Sequence, residues 1–117
     1  MSRTDPAAAG PRLDGRSFLS TSVDGHRLVD GSTVRLDLHD GRLAARAGCN
    51  TLLGPVAWTD GTLVASDLAS TMMACDPALM EQDTWLAGFL TGSPAYELTG
   101  SVLVLRDATT TLTFEEV

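Results

Sequence analysis

The residues of this chain best suited to chemistry are two cysteines and two histidines: Cys49 in "AGCN" (47–50), Cys75 closing "STMMAC" (70–75), His26 and His39. A cysteine becomes a nucleophile when a cationic neighbour or a helix N-terminus lowers its pKa. Cys75 stands one residue before Asp76-Pro77, where a helix is expected to begin, so a thiol-dependent redox role would fall to Cys75. Neither histidine carries a cue that brings it to a cysteine, because both lie in or beside turn sequences, and a Cys-His nucleophilic pair is not expected. Two isolated cysteines and two isolated histidines also lack any metal-ligand spacing. Two states of the pair stay open, a disulfide between Cys49 and Cys75 or two packed thiols. An oxidising compartment favours the first and a reducing cytoplasm the second.

The residues around the cysteines read as structural. Gly48 supplies a bulge or an unusual backbone angle, and the side chain of Asn50 is suited to capping nearby backbone groups. If 70–75 is a strand, Met72 and Met73 point to opposite faces, one into the core and the other towards a cavity or the helix. Trp58 and Trp85 are expected as large buried or boundary residues. The many Ser and Thr residues, as in "ATTTLT" (108–113), occupy strand and turn patterns without a nucleophile elbow or a phosphate loop. Glu115-Glu116 reads as an exposed charged finish. No catalytic constellation and no cofactor site emerges.

Short antiparallel strands must position these residues. Asp24-Gly25, Asp30-Gly31, Asp40-Gly41 and Asp60-Gly61 each offer the positive-φ positions that tight hairpins need. In "TVRLDLHDGRLAARAG", alternation puts Val34, Leu36 and Leu38 on one face and Leu43, Ala45 and Ala47 on a face of the returning strand, with Arg35, Asp37 and His39 towards solvent. A second hairpin joins "PVAW" to "TLVAS". A third pairs "SVLVLRD" with "TTTLTFEEV", where Leu103, Leu105, Leu112 and Phe114 share a face. One helix is expected from Pro77 to about Leu90. Asp76 would cap it, Glu81 and Asp83 would favour its positive end, and Leu79, Leu86, Phe89 and Leu90 form the stripe that faces the sheet. Gly92 and Pro94 end it.

At 117 residues, 44% of them hydrophobic and 20% charged, the chain has the makings of one folded domain, read here as 13–117 behind a loose Ala/Pro/Gly-rich tail at 1–12. Its net charge of -7, with the arginines scattered singly, makes nucleic acid and anionic membrane surfaces poor partners. No stretch is apolar enough to span a bilayer and no signal-peptide core opens the chain, so a cytoplasmic location is expected for the sequence as written, and an exported or lipoprotein one if a leader has been removed from it.

Taken together, residues 47–90 resemble the META domain, the HslJ-like family. The likeness is carried by Gly48-Cys49-Asn50, the following Gly54, Thr71-Met72-Met73-Ala74-Cys75, the Asp76-Pro77 step into a helix bearing Glu81, and the final hairpin. The motif residues are thus Gly48, Cys49, Asn50, Thr71, Met73, Ala74 and Cys75. The resemblance implies a mainly β domain, an antiparallel meander curled into a barrel-like sheet with one helix packed against it. It implies no enzymatic activity, and an association with heat shock. Either an unidentified protein partner or, by analogy of fold with lipid-binding pilotins, a small apolar ligand in the barrel is the expected occupant.

Overall fold

The computed structural model describes residues 13–65 and 67–117; the loose tail expected at 1–12 lies outside them. Ten strands form one antiparallel sheet: β1 (Ser17–Asp24), β2 (Arg35–His39), β3 (Arg42–Arg46), β4 (Thr51–Pro55), β5 (Ala57–Thr59), β6 (Thr62–Val64), β7 (Ala69–Ser70), β8 (Ala95–Thr99), β9 (Val102–Arg106) and β10 (Thr111–Glu116). Helix α1 (Pro77–Thr91) is inserted between β7 and β8. The order across the sheet is β5-β6-β8-β9-β10-β1-β2-β3-β4-β7. The sheet curls into a half-barrel and the helix closes its open side. First and last strands meet at its centre, where β1 lies between β10 and β2.

Local chemistry explains the hairpins. Asp40 and Gly41 both have positive φ (53° and 73°), as do Asp60 and Gly61 (54° and 77°), the backbone of a two-residue turn whose twist matches the flanking strands. The β2–β3 and β5–β6 pairs follow directly, in the expected register. Asp24-Gly25 and Asp30-Gly31 serve differently. Their glycines also have positive φ, yet they lie at the two ends of the longer connection between β1 and β2 and make no hairpin of their own.

A strand absent from the sequence expectation is β8. "AYELT" pairs with β9 through a tight turn in which Gly100 has φ 61°, so the C-terminal unit is a three-stranded meander and not a lone hairpin. At the β9–β10 turn, Asp107 accepts the backbone N–H groups of Thr109 and Thr110 (2.9 and 2.8 Å). These bonds, that from Thr109 foremost, hold its carboxyl below the usual carboxylate range.

Every inward position named from alternation is buried: Val34, Leu36, Leu38, Leu43, Ala45, Ala47, Leu103, Leu105, Leu112 and Phe114. Phe18 from β1, Leu52 from β4, Leu63 from β6, and Leu86, Phe89 and Leu90 from the helix complete the core. These side chains form one buried cluster on the inner face of the half-barrel. The two tryptophans stand at its boundary, Trp58 edge-on to Tyr96 and Trp85 stacked on His26 at 4.0 Å between ring centres.

Two helix expectations change. Asp76 occupies the cap position, but its side chain makes no capping bond; its backbone carbonyl accepts from Leu79 and Met80 instead. The first turn holds no acidic residue, and Asp83, assigned to the helix dipole from sequence, is buried with Gln82 on the inward face. Both polar side chains are drawn inward by backbone groups that the sheet leaves unpaired around Ala47–Asn50.

Candidate functional site

The sequence motifs converge where the turn after β3, the segment after β7 and the helix meet. β3 ends at Arg46, and the chain turns through 47–50 before β4 begins. The backbone N–H groups of this turn have no strand opposite them, so they need another acceptor. Asp83 supplies it: Oδ1 accepts from Cys49 N (3.1 Å), and Oδ2 accepts from Asn50 N (2.9 Å) and Asn50 Nδ2 (3.2 Å). One turn of chain is thereby held to the middle of the helix. Next to Asp83, Gln82 accepts Val29 N–H at 2.7 Å and donates to Ser32 Oγ (2.9 Å) and the Ala47 carbonyl, tying in the long β1–β2 connection.

Asn50 passes the link on to the segment after β7. Its Oδ1 accepts the Met73 N–H (2.7 Å) and the Thr71 hydroxyl (2.9 Å), while Nδ2 donates to the Met73 carbonyl (3.3 Å). A single amide thus replaces a strand partner for 71–73. Cys49 and Cys75 are joined in a disulfide, Cα atoms 6.2 Å apart, and the tether is complete. Residues 70–75 are consequently not the strand read from sequence, since pairing ends at Thr71 and the rest is held by side chains.

This corrects the placement of the methionines. Neither Met72 nor Met73 enters the core; they are 92% and 59% exposed, and Met80 on the helix is 43% exposed. The three line one groove of about 410 Å³ between residues 70–74 and the helix, with Leu52, Ala87 and Thr84 among the other walls and Asp83 as the one charged lining residue among the described residues.

With this geometry in place, the comparisons with known proteins decide the family. The META domain model matches residues 11–117. The chain belongs to the META domain family. A curated relative, the heat shock protein HslJ of Escherichia coli (strain K12), is 29% identical over 114 residues, covering 95% of this chain and 81% of that protein. A structure solved by NMR is 28% identical with a TM-score of 0.72, covering 89% of this chain and 91% of that one. A second NMR structure, of a protein from Burkholderia xenovorans, has a TM-score of 0.71 at 24% identity, covers all of this chain and 93% of that one, and supports the fold alone.

Within this META domain the motif residues have distinct places. Cys49 and Cys75 form the disulfide, Asn50 is the central hydrogen-bonding residue, the Thr71 hydroxyl and the Met73 N–H donate to its Oδ1, and Ala74 lines the groove. Gly48 is needed for room and not for its backbone angle, since its φ is not positive. A Cβ there would lie 2.5 Å from the Leu79 carbonyl oxygen and 2.9 Å from Asp83 Oδ1. Gly48→Ala is accordingly expected to destabilise by about 2 kcal/mol, read by urea unfolding, because helix and turn cannot separate without losing the Asp83 bonds. Sequence reasoning missed Gln82 and Asp83. Their signal was present, because they fall in register with Leu86 and Leu90 on the buried face of the helix, where a polar pair announces buried partners; Leu79, expected on that stripe, is half-buried beside Arg46 instead.

The histidines stay apart from the cysteines: His39 is exposed beside Asp40 and His26 stacks on Trp85. Among the described residues no group of three or more His, Cys, Asp or Glu is arranged to hold a metal, and no helix is long and apolar enough to cross a membrane.

Proposed function

We propose that this META domain is a non-enzymatic interaction module that docks an apolar segment of another protein in the methionine groove, under the stress conditions that the name of its relative HslJ indicates. The observation that carries this reading is the joint exposure of Met72, Met73 and Met80 around one groove. Methionine is flexible and polarisable, so such a surface adapts to several apolar partners. The disulfide, Asn50 and Asp83 act as its frame.

The test is a photo-crosslinker placed at exposed Thr84 on the groove wall, used in cells after heat stress. The wild type is expected to capture a partner, and Met72→Glu with Met80→Glu to reduce that capture about tenfold, the order expected for charging the centre of an apolar contact. Both positions are exposed, so stability should stay within about 0.5 kcal/mol of wild type. Equal capture by the double variant would remove the groove from the interaction.

A second reading, a carrier of a small apolar ligand, is favoured by the groove's volume, which lies within the range of small-molecule sites. Its place would be this groove or the interior of the half-barrel. A native mass spectrum of unreduced protein that shows added mass, released on denaturation, would move the assignment to the carrier.

A further inference from the structure

The segment that forms one wall of the groove is also one of the two edges of the sheet. Among the described residues β7 is terminal in the strand order, with β4 as its one neighbour. Thr71 N–H is bonded to the Thr51 carbonyl, and Met73 N–H and C=O are both taken by Asn50. Bonding directions alternate along an extended chain, so the N–H and C=O of the intervening Ser70 and Met72 face away from β4. No described residue bonds to the Met72 amide, nor to that of Ser70. Ser70 and Met72 themselves line the groove, so main-chain donors and acceptors border an apolar trough.

The stretch of chain that forms this edge and its groove is acidic. Between Arg46 and Arg106 the chain has no Arg, Lys or His, while it carries six acidic residues, and every residue of the groove comes from that interval. Exposed Asp67 and Asp76 bracket the edge, exposed Glu81 follows Met80 on the helix, and Asp83 lies in the groove wall. Arg46 faces a different cleft, with Arg35 and Leu79.

We infer that the occupant is an extended segment of a partner protein, alternating in apolar side chains and flanked by arginine or lysine, which adds as a strand beside Ser70–Met72. The inference rests on the interaction reading of the groove and specifies its partner. Main-chain pairing supplies a sequence-tolerant grip, the alternate side chains drop among Met73, Met80 and Ala87, and the flanking cations meet Asp67 and Asp76 at the two ends. A helical or acidic occupant would leave the outward amides unpaired or set like charges against each other.

The probe is a short synthetic peptide, Arg-Thr-Val-Thr-Val-Thr-Arg, blocked at both ends, titrated into isotope-labelled full-length protein and followed by NMR. The counterparts are the same peptide with glutamate for both arginines, and the same peptide N-methylated on alternate amides. Expected are shifts centred on Ser70, Met72 and the methionine methyls, amide exchange at Ser70 and Met72 slowed about tenfold at saturation, and at least tenfold weaker binding of both counterparts at low salt. Met72→Pro deletes a donor that serves no internal bond among the described residues and should abolish binding; Met80→Glu should weaken it through lost apolar contact. Equal binding of the glutamate peptide, or undiminished binding of the N-methylated one, overturns the inference. So does absence of binding by any of the three peptides, and if the Thr84 crosslink then still depends on Met72 and Met80, the interaction reading stands without strand pairing.

Discussion

Replacing Asp83 by alanine is expected to lower the unfolding free energy by about 3–5 kcal/mol, a large share of what a domain of this size possesses. The carboxylate is 7% exposed and accepts three hydrogen bonds from the 49–50 turn. Alanine leaves the Cys49 and Asn50 N–H groups facing an apolar gap, and each stranded donor costs about 1–3 kcal/mol. Asn50 also loses the anchor that orients its amide, so the bonds to Thr71 and Met73 weaken with it. Asp83→Asn separates the contributions: one oxygen remains as an acceptor, while the other becomes an NH2 group facing donors, and roughly half the loss is expected. Urea unfolding of both variants checks this. A loss below 1 kcal/mol for alanine would mean that water or a shifted backbone satisfies the turn, and Asp83 would not be the organising residue described above.

Opening the Cys49–Cys75 bond is expected to cost about 3 kcal/mol, from the chain entropy released when a 26-residue loop is freed in the unfolded state. For a domain of this length that lowers the melting temperature by roughly 12–20 °C. The measurement compares wild type with and without reductant, and with Cys49→Ser and Cys75→Ser together. Intact mass reports the two hydrogens gained on reduction. The local consequence is as specific as the global one. Residues 72–75 have no ladder partner among the described residues, so with the bond open Asn50 alone holds Met73, and exchange of the Met73 amide, which donates to Asn50 Oδ1, should accelerate more than at the core strands. A melting temperature unmoved by reductant, in protein whose mass shows the bond present beforehand, would place the stabilising role with Asn50 and Asp83 alone.

Much of the scaffold was legible because its signals are local. Alternation assigns the face of a residue from its immediate neighbours, and Asp-Gly turns set register without distant information, so Leu36, Leu43, Leu105 and Phe114 could be placed in the core from the string alone. The same applies to the helix from Pro77 and to the META motif around Gly48-Cys49-Asn50, whose unusual composition identifies the family. Where two local rules competed, position in the string misled. "STMMAC" has strand-like alternation, but a strand also needs a ladder, and only residues 69–71 find one on β4.

What the tertiary structure alone decided are the contacts between segments distant in sequence. Asp83 and Asn50 are 33 residues apart and Gln82 and Val29 are 53 apart, and nothing near any of them names its partner. The helix folds back onto the turn after β3 because buried N–H groups must find acceptors, and that requirement turned two polar residues inward and left three methionines outside. The composition of this protein, its core faces and its family are properties of neighbouring residues, which the order of amino acids states directly. Its groove exists only because a disulfide, one asparagine and one aspartate bring together segments that have no contact until the chain has folded.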